Sequence, residues 1–169
     1  MTNSKTKRIV ISALFAALTC VATMIIQIPT PMKGYLNLGD CIVLLSAWCL
    51  PNPYGIVAAG LGSAMADVLS SYSVYAPATF IIKGLMAFVT FYGVKLMGEK
   101  IGKLPSRIIS GAVAEIIMIL GYFVYEGFLK GEFISPMLGI PGNALQGVAG
   151  LVLGVILITL LEKSKIKFD

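Results

Sequence analysis

The chain contains no histidine, and only 12% of its 169 residues are charged, about half the share of an ordinary soluble domain. Without an imidazole, the Ser-His and Cys-His pairings of nucleophilic catalysis are excluded, and no other nucleophile and base stand at suggestive spacing. The three cysteines, Cys20, Cys41 and Cys49, lie in or beside apolar runs with no close-spaced ligand pattern. No metal site and no cofactor are therefore expected, and buried free thiols are the default. Acids are scarce too, eight against thirteen Lys and Arg, giving a formal charge of +5. That surplus sits in short loops and tails beside apolar segments, which fits topology determination and anionic-lipid contact and not nucleic acid. Nucleotide machinery is also missing: Gly98-Glu99-Lys100-Ile101-Gly102-Lys103-Leu104 has the wrong glycine spacing for a P-loop and no Ser or Thr after the lysine. No inverted repeat of the kind found in many secondary transporters is visible.

What is present is apolar. Hydrophobic residues make up 57% of the chain and mean hydropathy is +0.91, the composition of an integral membrane protein. A spanning helix takes about 20 residues, so the expectation is an all-α bundle of six transmembrane helices in one domain. The spans fall at about 9–28, 37–50, 56–70, 77–97, 106–129 and 139–161. Met1 to Ile28 begins like a signal peptide but lacks a clean small-x-small cleavage site, so it reads as a retained first helix. Pro29-Thr30-Pro31 stops that span, Pro51-Asn52-Pro53 makes a tight turn, and Pro77 suits a first helical turn. Gly98 to Pro105 reads as a basic loop and Glu162 to Asp169 as a charged tail.

Lys5, Lys7, Arg8, Lys95, Lys100, Lys103, Arg107, Lys163, Lys165 and Lys167 fall on one side of this arrangement, against Lys33 and Lys130 on the other. The asymmetry predicts that both termini are cytoplasmic and that the loops near 30–36, 70–76 and 130–138 face outward. Against that background the interior charges stand out. Asp40, Asp67, Lys83 and Glu115 lie within apolar segments, at a cost of roughly 2.5–3.5 kcal/mol each near a helix centre. They must be paired or face a wet pocket. Asp67 and Lys83 suggest an ion pair, or else Lys83 contacts a ligand's anionic or carbonyl group; Asp40 or Asn37 suits a cap for the second span.

Glu115, Tyr122 and Glu126 share one face of the fifth span, and Asn143, Gln146, Gly147 and Gly150 mark a polar, small face of the sixth. Tyr72, Tyr75, Tyr122 and Tyr125 fit an interfacial belt or the walls of a pocket for a flat polar ring. Trp48 is placed towards the cytoplasmic end of the second span, so a tryptophan-walled pocket is not expected. The candidate substrate-binding residues are Asp67, Tyr75, Lys83, Glu115, Tyr122, Glu126 and Asn143. Ala13 and Ala17, one turn apart on the first span, have the spacing that admits a closely packed helix.

Three strings, Gly34-Tyr35-Leu36-Asn37-Leu38-Gly39-Asp40, Gly60-Leu61-Gly62-Ser63-Ala64-Met65-Ala66-Asp67 and Tyr75-Ala76-Pro77-Ala78-Thr79-Phe80-Ile81-Ile82-Lys83-Gly84, carry a family resemblance. With the Ala13-xxx-Ala17 step, the chain resembles the substrate-binding S components of energy-coupling factor (ECF) vitamin transporters, of the riboflavin or hydroxymethylpyrimidine type. The resemblance implies a six-helix, non-enzymatic subunit in the plasma membrane of a prokaryote. It would capture a water-soluble vitamin from outside and work with a transmembrane T component and two cytoplasmic ATPases. Ala13 and Ala17 would dock on the T component, and the S component would topple to carry its pocket inward. One lysine with one or two glutamates suits vitamin B6 or hydroxymethylpyrimidine better than riboflavin. The competing readings are a riboflavin-specific S component, and a self-sufficient ion-coupled secondary transporter in which Asp67, Lys83 and Glu115 relay protons.

Overall fold

Long apolar stretches with few breakers become helices wherever a bilayer leaves backbone groups no partner but their own chain. In the computed structural model the described residues are 4–29 and 35–164. They form α1 (Ser4–Ile25), β1 (Ile28–Pro29), β2 (Tyr35–Leu36), α2 (Gly39–Cys49), α3 (Tyr54–Leu69), α4 (Ala76–Ile101), α5 (Lys103–Lys130), α6 (Ile134–Met137) and α7 (Ile140–Lys163). The expected features at Thr30, Pro31, Lys33 and Gly34, and the tail charges Lys165, Lys167 and Asp169, lie outside the described residues.

The six expected spans correspond to α1, α2, α3, α4, α5 and α7, with three differences. First, α1 ends at Ile25, and Ile28–Pro29 pairs antiparallel with Tyr35–Leu36. Second, the basic loop expected at Gly98–Pro105 shrinks to a single residue between α4 and α5. Gly102 sits at φ +87, a left-handed value open to glycine, and turns the chain at once; Pro105 falls in the first turn of α5, where its missing N–H costs nothing. Third, α2 and α3 have 11 and 16 residues, about 16 and 24 Å at 1.5 Å per residue, short of a hydrocarbon core about 30 Å thick. Among the described residues four segments, Lys5–Ile25, Ala76–Ile101, Lys103–Lys130 and Ile134–Lys163, are long and apolar enough to cross a membrane.

The short α2 occupies the centre. It packs on α1, α3, α4 and α7, while α1 meets α3, α3 meets α4, α4 meets α5 and α5 meets α7, so α2 closes the ring between α7 and α1. Its Val43, Leu44 and Ala47 join Ala59, Ile82, Met86, Ala87, Ala114 and Met118 in one core. Outward faces stay apolar: Leu14, Val21, Ile81, Leu85, Ile116, Leu120, Val148 and Ile156 are all exposed, as lipid contact requires and water would not tolerate on this scale.

Apolar surface gains little by moving from lipid to a helix interface, so these helices associate through close packing and polar contacts. The small-residue run of α3 serves the first purpose. A methyl group on Gly62 would collide with the Ala16 carbonyl and lie 2.7 Å from Thr19 Cβ, whereas one on Gly84 would meet nothing nearer than Ile56 Cγ2 at 3.7 Å. Gly62→Leu should therefore lower stability by about 1–3 kcal/mol, read as a reduced thermal midpoint in detergent. Gly84→Ala should leave the midpoint unchanged or slightly raised; equal losses from both would show that the α1–α3 approach is not tight.

Candidate functional site

The ends of six helices and three connecting segments bring polar groups to one end of the bundle. Asp40 falls in the first turn of α2, Lys83 about two turns into α4, and Gln146 about two turns into α7. The three form a buried cluster. Asp40 is inaccessible to solvent; its Oδ1 ion-pairs with Lys83 Nζ and its Oδ2 accepts from Gln146 Nε2 at 2.7 Å. Gln146 Oε1 accepts in turn from the Asn37 backbone N–H at 2.9 Å and from Asn37 Nδ2 at 3.3 Å. Asn37 Oδ1 closes the chain of bonds on the Gly39 N–H at 2.8 Å.

One expectation changes here: Lys83 takes Asp40 as its counter-ion instead of Asp67. Of the two candidates for the start of α2, Asn37 is the one that serves it, accepting from the Gly39 N–H just ahead of the helix. The reason is that a short polar side chain three residues earlier can serve the helix start, whereas only a carboxylate can neutralise a dry ammonium.

Beside this cluster lies a cleft of about 650 Å³, a volume that takes in space open to the exterior of the bundle; concave sites with a few convergent polar groups are where small molecules bind. Asp67, Tyr75, Lys83, Tyr122, Glu126 and Asn143 line it, bringing together six of the seven predicted binding residues. Thr23, Asn37, Ser63, Tyr72, Thr79, Gly139 and Gln146 complete the wall. Tyr122 stands over the Lys83 ammonium, its ring centre 5.5 Å from Nζ, and its hydroxyl shares a hydrogen bond of 3.1 Å with Thr79 Oγ1. The Tyr75 ring meets those of Tyr72 and Tyr125 edge-on, with centroids 6.4 and 5.7 Å away. Burial, followed by the charge of Glu126, pushes the Tyr75 phenol up to about 12, so it remains a hydroxyl at neutral pH. Glu126 is buried, with Lys130 Nζ 3.6 Å from Oε2.

Glu115 is not among the lining residues. It is buried deeper in α5, facing α7: a methyl on Gly147 would lie 3.0 Å from Glu115 Cβ, and one on Gly150 would lie 2.7 Å from Asp40 Cβ and 3.3 Å from Glu115 Oε1. Neither carboxyl oxygen of Glu115 has a hydrogen-bond partner among the described residues. Sequence reasoning missed Thr23, Ser63 and Thr79. The signal was there: Ser63 and Thr79 each precede a predicted residue, Asp67 and Lys83, by four positions on the same helical face.

A second polar contact holds the far end. Arg107 at the start of α5 makes two hydrogen bonds to Glu162 at the end of α7, 3.0 and 2.8 Å long, with its guanidinium 6.0 Å from the Trp48 ring.

Apolar outer faces around a polar cleft, open at one end, define a multi-pass membrane protein. The solved S component of a bacterial ECF transporter matches it with a TM-score of 0.75 at 22% identity, over 96% of this chain and 99% of the other, so the fold is shared. The family model for the S component of ECF-type riboflavin transporters matches residues 3–163, and the chain belongs to that family. It is thus a transporter component for uptake of a vitamin or precursor and not a member of an enzyme class; such subunits work with a T component and ATPases. Curated relatives include an uncharacterized protein of Pyrococcus woesei, 32% identical over 79% of this chain and 87% of that protein. The thiamine precursor transporter HmpT of Lactococcus lactis subsp. cremoris is 23% identical over 98% and 94% respectively.

The buried pair makes a stability prediction. Lys83→Met leaves Asp40 charged in a dry interior and should cost about 3–5 kcal/mol. Adding Asp40→Asn should recover part of that loss, measured by chemical or thermal unfolding in detergent; equal stability of wild type and Lys83→Met would show that the pair carries no such weight.

Proposed function

We propose that this chain is the high-affinity binding subunit of an ECF transporter for a small hydroxylated or amino-substituted ring, hydroxymethylpyrimidine or vitamin B6. The observation that carries the reading is the cleft itself. Tyr72, Tyr75 and Tyr122 offer ring faces, and Asp67, Glu126, Asn143 and Lys83 offer hydrogen-bonding groups at its wall, the mixture that recognises a flat polar heterocycle. Similarity to a protein named as a thiamine precursor transporter supports the pyrimidine. Riboflavin is the second reading, favoured by the family model's description. Under either, the cleft faces the exterior of a prokaryotic cell, with both termini in the cytoplasm.

Glu115 keeps a place in this proposal as a support behind the wall instead of a ligand contact. The ion-coupled alternative needed Asp67, Lys83 and Glu115 in one relay; family membership argues for an external ATP-driven partner instead. On α1, Ala13 and Ala17 are exposed, in the same patch as Leu14 and Leu18. A helix of the T component would dock on this small-residue step.

Thermal-shift screening of the purified chain against a vitamin panel should single out hydroxymethylpyrimidine or a B6 vitamer, by several degrees at saturating ligand. Stabilisation by riboflavin alone would decide for the second reading, and none by any member would remove the vitamin assignment. Ala13→Trp and Ala17→Trp should retain ligand binding while abolishing uptake in cells that supply the T component and ATPases. Normal uptake would count against docking through α1.

A further inference from the structure

Lys83 is the only basic residue on the cleft wall among the described residues, and it is already spoken for. We propose that Asp40, which lies outside the wall, sets the charge class of the ligand: by cancelling Lys83 from behind, it makes the cleft accept uncharged or cationic rings and refuse anionic esters. The inference rests on the reading that this cleft holds the vitamin.

Three observations carry it. Asp40 is wholly inaccessible to solvent and in direct contact with Nζ, so water does not screen its charge from Lys83. Its second oxygen is fixed by Gln146, which is itself held by Asn37, so the carboxylate is pinned from both sides. The acids on the wall are Asp67 and Glu126, the latter with Lys130 Nζ 3.6 Å away, and neither can take the place of Lys83 towards an anion.

A phosphate group entering this space needs a cation with charge to spare. Drawing Lys83 away would strand Asp40 in the interior, the expensive half of a broken buried pair. A neutral acceptor asks for less. An ammonium carries three N–H donors, so a ring nitrogen or hydroxyl oxygen can bind Lys83 while Asp40 keeps its bond. Amino or hydroxyl groups on the same ring suit the carboxylates opposite.

The test is titration calorimetry of the full chain in detergent with three matched pairs: hydroxymethylpyrimidine, pyridoxine and riboflavin, each against its own phosphate ester. For whichever free ring binds, the ester should bind at least 100-fold more weakly, and an ester of equal or greater affinity overturns the proposal. Asp40→Asn keeps the shape and an acceptor but removes the counter-charge, and should narrow that ratio at least tenfold. An unchanged ratio in the folded variant overturns the role of Asp40. Should that variant not fold, Lys83→Gln leaves Asp40 as an uncompensated anion and should widen the ratio; a ratio that stays the same is equally adverse. If no free ring binds at all, the vitamin reading itself falls.

Discussion

One buried ion pair constrains the rest of this molecule. Lys83 and Asp40 are both inside the bundle, on helices about 40 residues apart in sequence, and neither is tolerable there alone. Their contact fixes α2 against α4, and Gln146 extends it to α7. Because α2 is too short to span a bilayer by itself, it cannot be positioned by lipid on both ends. The polar cluster, together with the apolar core below it, determines its depth. Asn37, Lys83 and Gln146 of the same cluster line the cleft, so the interaction that registers the helices also borders the site.

Packing around that cluster depends on side chains that are missing. Gly147 and Gly150 leave room on α7 for Glu115 and Asp40, and Gly62 admits α1 to α3. These contacts bring backbones together in the middle of the bundle. At the cleft end the helices instead present tyrosines, hydroxyls and acids. Arg107 and Glu162 tie α5 to α7 at the opposite end, so the bundle is held at its base and open at its mouth.

The sequence made the helices legible because each is apolar and most are bounded by proline or glycine. Span length was less legible. The extension of α4 to Ile101 depended on how sharply Gly102 turns the chain, which a charge count does not reveal. At the site, burial of Asp67, Lys83 and Glu126, and the partial burial of Tyr122, followed from their placement in apolar segments at similar depth. Their pairing did not follow, because the choice between Asp40 and Asp67 as partner of Lys83 depends on which helix occupies the centre, and periodicity is silent on that. Glu115 shows the complementary case: it lies about two turns along α5 from Tyr122 and is not among the residues that line the cleft. Thr79 and Ser63 went unremarked because hydroxyls are inexpensive in membrane helices and so do not advertise themselves as charges do.

The division of labour within the transporter follows from the same physics. A site rich in acids and tyrosines, and anchored on a neutralised lysine, can hold a polar ring, but holding is not moving. The chain has no phosphate-cradling loop, so energy for transport has to enter through a surface. That surface must be apolar to remain in lipid and small enough in relief for another helix to approach, a combination met along α1 at Ala13 and Ala17 between larger exposed neighbours. Docking there would grip the helix that packs on α3 through Gly62, and α3 carries Ser63 and Asp67 to the cleft. A partner acting on α1 would therefore act on a helix packed directly against one that carries part of the cleft wall.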